Sequence, residues 1–153
     1  MTPKKVAASM AIAALIVTTG TATAAPTYHD SVLSLTNQHR AAAGCPALAV
    51  NDQLAAAARR HNDEMARTGN FSHTGVDGST AAQRVSESGY PYRVTAENIA
   101  AGQGTPHEVV RDWMNSEGHR ANILNCELRD LGVAHAVDGG GRAYWTQEFG
   151  VRQ

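Results

Sequence analysis

Near the end of the chain, Leu131–Val137 and Arg142–Gly150 alternate as strands, and Asp138-Gly-Gly-Gly141 joins them. A two-residue period on either side of a glycine-rich turn predicts a β-hairpin with one face buried. What precedes it follows a helical period for the most part. Tyr28 to Ala43 reads as a helix with Asp30 as N-cap, and Gly44 sits where a helix end favours a left-handed residue. Ala47–Val50 is a short extended connection. Asn51 caps a second helix with Leu54, Ala55, Ala58, His61, Asn62 and Met65 on one face, and Gly69 ends it. Its many alanines predict close approach of another element. Ser79 caps a short helix over 80–88, and Arg93–Ala100 is extended, with Val94 and Ile99 inward. Thr105-Pro106-His107-Glu108 is a capping box with proline in the first helical turn. Helices come first and the hairpin last, so the fold class is α+β rather than doubly wound α/β.

The first residues carry an address. Lys4 and Lys5 precede the apolar run Met10–Val17, and Ala22-Thr-Ala24 fits a small-x-small cleavage site. The run is shorter than the roughly 20 residues a membrane span needs, so residues 1–24 read as a signal peptide cut after Ala24. Residues 25–153 then form one exported domain, long enough for a core of its own. With Lys4 and Lys5 removed, 11 of the 13 Lys+Arg remain against all 14 Asp+Glu, a net charge of −3. No run of like charge stands out, which argues against a nucleic-acid partner. Cys45 and Cys126 are the only cysteines. In an oxidising compartment their simplest reading is one disulfide, and the lack of any Cys-x-x-Cys pair argues against a metal site built on them.

The candidates for chemistry gather around Trp113-Met-Asn-Ser-Glu-Gly-His-Arg-Ala-Asn122. It closes a helical run, is expected to turn at Gly118, and presents His119 and Arg120 beyond it. Of seven histidines, His73 and His119 differ from the rest because both lie in glycine-flanked loops. Phe71, beside His73, is expected to anchor its loop in the core. Glu97 interrupts an apolar extended segment, so it must be exposed, paired or functional. There is no His-Glu-x-x-His, Walker loop or Gly-x-Ser-x-Gly elbow.

Leu35-Thr-Asn-Gln-His-Arg40, Phe71-Ser-His73, Ala96-Glu-Asn-Ile-Ala100, Trp113-Met-Asn-Ser116, Gly118-His-Arg-Ala-Asn-Ile-Leu124, Leu131-Gly-Val133 and Tyr144-Trp-Thr-Gln147 occur in this order. Together they resemble the CAP superfamily of cysteine-rich secretory, antigen 5 and pathogenesis-related 1 proteins, also called the SCP domain, in its bacterial secreted form. The resemblance covers 28–151. It implies an α-β-α sandwich, with a small antiparallel sheet between helices and a solvent-open cleft that gathers two histidines and two glutamates. His73, Glu97 and His119 match three of these, with Ala96 where glycine is usual. The second glutamate has no match at Ser116. Glu117, one residue on, is the candidate for it, and a solvent-facing place is expected ahead of one in the cleft.

Two imidazoles with a carboxylate suit Zn²⁺ or another divalent cation, with His73 and His119 as ligands and Glu97 as a general base if a bound water is activated. A Ser116–His119 hydrolase is a weaker variant, because no third member or oxyanion hole is evident. The alternative is a module without catalysis that binds a small ligand, a lipid or an extracellular surface partner. The domain is expected to act as a monomer.

Overall fold

The computed structural model describes residues 25–153; the leader peptide read in residues 1–24 lies outside them. The elements run α1 (Tyr28–Ala42), β1 (Ala49–Val50), α2 (Asp52–Thr68), α3 (Ala81–Glu87), β2 (Tyr92–Ala101), α4 (Pro106–Asn115), α5 (Glu117–Ile123), β3 (Asp130–Val137) and β4 (Ala143–Arg152). The four strands form one sheet in the order β1-β3-β4-β2. The β3–β4 and β2–β4 pairs are antiparallel. β1 is parallel to β3, so the sheet is mixed rather than purely antiparallel. α1, α4 and α5 pack against one another on one side of the sheet, and α2 and α3 on the other. This is the expected α+β sandwich.

Capping chemistry explains most of the helix boundaries. Thr105 and Glu108 close the predicted box at the start of α4, and Asn51 accepts from the amides of Gln53 and Leu54 at the start of α2. Gly69 ends α2 in the left-handed region at φ 72°. Two caps move by a few residues. The N-cap of α1 is Thr27, with Asp30 as the reciprocal acid of its box. That of α3 is Thr80, with Gln83 in the same part. The turn expected at Gly118 lies instead at Ser116, which is extended (φ −101°, ψ 124°), and Gly118 is inside α5.

Alternation on β4 divides the interior. Ala143, Trp145 and Phe149 face α1 and α4, joining Val32, Val110, Trp113, Leu131 and Val133. Tyr144 faces α2 with Met65 and Ile99. The alanine-rich α2 lies directly on β3. A Cβ at Gly132 would stand 2.1 Å from the backbone of Leu54 and Ala55. Gly132→Ala should therefore force α2 off the sheet and cost about 2–3 kcal/mol, read as a lower denaturant midpoint with an unchanged slope.

Arg40 is buried and donates to the carbonyls of Pro46, Ile123, Asn125 and Leu128, at 2.8–3.0 Å. It ties the end of α1 to the chain leaving α5. The Cys45–Cys126 disulfide closes the same seam, as expected.

Candidate functional site

The site is built on the outer strand of the sheet. Glu97 on β2 stands directly opposite Glu148 on β4. Gly102 donates to the Ala143 carbonyl, 2.8 Å away. In this register that makes Glu97–Glu148 a pair without ladder hydrogen bonds, the arrangement in which side chains lie closest. Both carboxyls are buried on the face covered by α2 and α3. Like charges directly opposed on a sheet repel, so the surroundings decide which keeps its charge.

Glu97 keeps it. Its Oε1 accepts from His73 Nδ1 at 2.7 Å, and its Oε2 accepts from Arg84 Nη2 at 2.7 Å. Burial pushes the Glu97 carboxyl up, but the hydrogen bonds of His73 and Glu148 and the Arg84 charge hold it down, at about 2. Glu148 is pushed well up, first by burial and then by the Glu97 charge. Ionised, neither of its oxygens has a donor among the described residues. Protonated, it finds an acceptor in Glu97. The pair therefore holds one proton, on Glu148.

Arg84 does more than neutralise. The same guanidinium donates to the carbonyls of Ser79 (2.9 Å) and His73 (3.0 Å), fixing the loop between α2 and α3. His61, fully buried on α2, donates from Nε2 to the Ser72 carbonyl at 2.7 Å. Burial lowers its pKa and keeps it neutral. His73 is thus held from its backbone on two sides and at Nδ1 by Glu97, while its side chain stays 57 % exposed. The Glu97 hydrogen bond raises the His73 pKa.

His119 comes from α5, on the other side of β2. Asn98 donates to its carbonyl at 3.1 Å, and Asn122 donates to the Glu97 carbonyl at 3.2 Å and to Asn98 Oδ1 at 2.9 Å. Asn98 also reaches Gln147 Oε1, and Gln147 reaches Thr36 on α1. This buried amide chain sets the position of α5 against the sheet. Burial lowers the His119 pKa, and the charge of nearby His73 lowers it further.

His73 and Glu97 are thus hydrogen-bonded, and His119 lies on the other side of the same strand, joined to Asn98 through its backbone carbonyl. Glu97 is not a free ligand, because His73 and Arg84 occupy its two oxygens. Among the described residues, no three side chains of His, Cys, Asp or Glu are arranged to hold a metal ion. A second buried glutamate, Glu148, stands opposite Glu97, while Glu117 is exposed in the first turn of α5. Ser116 and His119 border one pocket, but among the described residues no hydrogen bond reaches the Ser116 hydroxyl, and no carboxylate orients His119. Phe71 is 46 % exposed. The loop is tethered by Arg84 and His61 instead, which leaves the ring at the cleft mouth rather than in the core.

This geometry accompanies clear likenesses to known proteins. Residues 33–149 match the family model described as the cysteine-rich secretory protein family, CAP. The chain belongs to this family. The CAP domain is 38 % identical over 135 residues to YkwD of Bacillus subtilis (strain 168), covering 86 % of this chain and 51 % of that protein. It is 33 % identical over 123 residues to the membrane protein YlbC of the same organism, covering 80 % of this chain and 34 % of that one. An extracellular SCP-domain protein of Bacillus anthracis str. Ames superposes with a TM-score of 0.74 at 32 % identity, over 82 % of this chain and 40 % of that one. The chain thus spans about half the length of YkwD and less of the other two. An outer surface protein of Borrelia burgdorferi shares the fold, with a TM-score of 0.74 at 22 % identity, over 80 % of this chain and 90 % of that one. No helix among the described residues is long and apolar enough to cross a membrane.

Proposed function

We propose that this chain is an exported binding module whose cleft captures a small ligand or divalent ion at His73 and His119, rather than a hydrolase. The observation that carries this reading is the Arg84–Glu97–His73 relay. A buried, charge-balanced carboxylate fixes Nδ1 of a largely exposed imidazole, whose Nε2 has no hydrogen-bond partner among the described residues. A carboxylate behind a histidine is the usual outer partner of a ligating imidazole, since it sets the tautomer and raises basicity. Glu97 then acts from behind His73 and does not serve as a general base. The absence of a group orienting His119 argues against Ser116 as a nucleophile. The leader-like residues 1–24, the disulfide and the extracellular Bacillus anthracis relative support export.

His73 and His119 would hold a divalent ion such as Zn²⁺ by two nitrogens, and the ion would supply a positive centre for an anionic or carbonyl ligand. Two protein donors make such binding weak and exchangeable. Zn²⁺ titrated into the metal-free protein should bind saturably at about pH 7.5 and at least tenfold more weakly at about pH 5.5, because both imidazoles must lose their protons. The raised pKa of His73 puts the onset of this loss above the ordinary histidine value. His73→Ala/His119→Ala should abolish the binding, and Glu117→Ala should leave it intact. Calorimetry decides; equal binding by the double variant would sink the reading.

A further inference from the structure

β2 is an outer strand, and its free edge is unevenly satisfied. Ala96, Asn98, Ala100 and Gly102 bond to β4, as the Gly102–Ala143 hydrogen bond and the register require. Glu97, Ile99 and Ala101 turn their amides outward. Two of the outward carbonyls are already occupied. Trp113 Nε1 donates to that of Ile99 at 3.1 Å, and Asn122 Nδ2 to that of Glu97 at 3.2 Å. The N–H groups of Glu97 and Ile99 have no acceptor among the described residues. A groove of about 270 Å³ runs along this edge, with Phe71, Trp113, Ser116 and His119 beside Ile99 and Ala101.

The other end of the groove has the opposite polarity. Among the described residues the Ala101 carbonyl has no donor. Gln103 Oε1 is buried without a partner, while its amide nitrogen is held by Asp112 at 3.1 Å. The edge therefore presents acceptors near Ala101 and Gln103, and donors alone near Ile99 and Glu97. An ordinary strand cannot pair along its whole length, because its own N–H groups would meet capped carbonyls opposite Ile99 and Glu97 and be left unsatisfied. A chain that ends opposite Ile99 meets one capped carbonyl there and avoids the second mismatch at Glu97.

We propose that the groove binds the C-terminal end of an extended peptide, laid antiparallel along β2, with its carboxylate at the outward Ile99 amide. Only the antiparallel direction fits the polarity. The peptide's N–H groups then meet Ala101 and Gln103, and its carboxylate meets the Ile99 N–H beside His119. The reverse direction would set the carboxylate against Asp112. Glu97 does not repel the anion strongly, because its own charge is tied to Arg84 and His73. Phe71 supplies an apolar wall for the last side chains. The main-chain pairing is strand addition at a sheet edge, here shortened by the two caps. The proposal rests on the cleft being a ligand site.

The test uses an N-acetylated tetra-alanine with a free carboxylate and the same peptide as its C-terminal amide. Titration into the isotopically labelled protein should move the backbone amide signals of Ile99 and Ala101 with the acid, and the amide should bind at least tenfold more weakly. Ala101→Pro removes one outward N–H without touching a β4 hydrogen bond, as an edge strand tolerates, and should weaken the acid at least tenfold. If that variant does not fold, the two peptides on the wild type still decide. Equal affinity of acid and amide, shifts confined to residues away from β2, or no binding up to several millimolar would each overturn the proposal. A parallel Zn²⁺ titration separates the two ideas. Zn²⁺ bound at His73 and His119 without peptide binding overturns this proposal alone, and peptide bound without Zn²⁺ overturns metal capture alone.

Discussion

Arg84→Met should destabilise the domain by about 3–5 kcal/mol, the usual cost of stripping one partner from a buried ion pair. Methionine keeps most of the apolar volume, so the loss reports the charge and the hydrogen bonds. Arg84 is almost fully buried, and it is the cation that lets Glu97 stay ionised beside Glu148. Its removal also frees the Ser79 and His73 carbonyls. The pH dependence follows from the direction of each shift. In the wild type, the depressed pKa of Glu97 contributes stability that is complete above the ordinary value of 4.5 and is lost as pH falls towards about 2. Glu148 is raised, so its contribution is complete below that ordinary value and is lost as pH climbs. Without Arg84, Glu97 loses a group that held it down, and both buried carboxyls favour protons. The stability gap between variant and wild type should therefore be wide at about pH 8 and narrower at about pH 5. Arg84→Met/Glu97→Gln should recover part of the loss, since it removes the stranded charge. Denaturant unfolding at the two pH values measures all of this, and a gap independent of pH would count against the shared-proton pair.

The same cluster marks where reading the sequence alone stops. His73, Glu97 and His119 stand out because each departs from its local pattern: two histidines near glycines and an acid in an apolar run, although His119 lies within α5 rather than in a loop. Their meeting is an expectation from family resemblance; the structure bonds His73 to Glu97 and joins His119 to the same strand through its backbone carbonyl. Glu148 obeys its pattern. In Tyr144-Trp-Thr-Gln-Glu-Phe149 it falls on the alternate face of a strand, where an exposed acid is ordinary. Only the cross-strand register buries it opposite Glu97, and pairing between residues so far apart in sequence leaves no local signature. Phe71 shows the opposite failure. Hydrophobicity alone places it inside, yet polar tethers from Arg84 and His61 fix its loop and leave the ring at the cleft mouth. Helix caps were legible to within a few residues because their chemistry is local. Arg84 was not, since an arginine on a short helix looks like any solvated charge until a buried carboxylate lies opposite.

Replacing both cysteines, as Cys45→Ala/Cys126→Ala, should cost about 4–5 kcal/mol if the loss is mainly chain entropy, given the loop of 81 positions that the bridge closes. That is a large share of the ~5–15 kcal/mol that holds a typical domain together. The loop runs from the end of α1 to the chain just after α5, and so encloses β1, α2, α3, β2, α4 and α5, with His73, Glu97 and His119. Arg40 crosses the same seam through four carbonyl acceptors. The native fold should therefore persist without the bridge at low temperature, because the buried guanidinium still joins both sides. What changes is the unfolded chain, which regains its freedom. The double variant should accordingly show a near-native circular dichroism spectrum, a lowered thermal midpoint and a larger denaturant slope than the wild type. Zn²⁺ affinity at low temperature should stay within about twofold, since His73 and His119 are held by Arg84, His61 and Asn98 and not by the sulfurs. A native-like midpoint in the variant would mean that the Arg40 seam alone sets the stability of this edge. Loss of Zn²⁺ binding with the fold intact would mean instead that the bridge positions α5 directly.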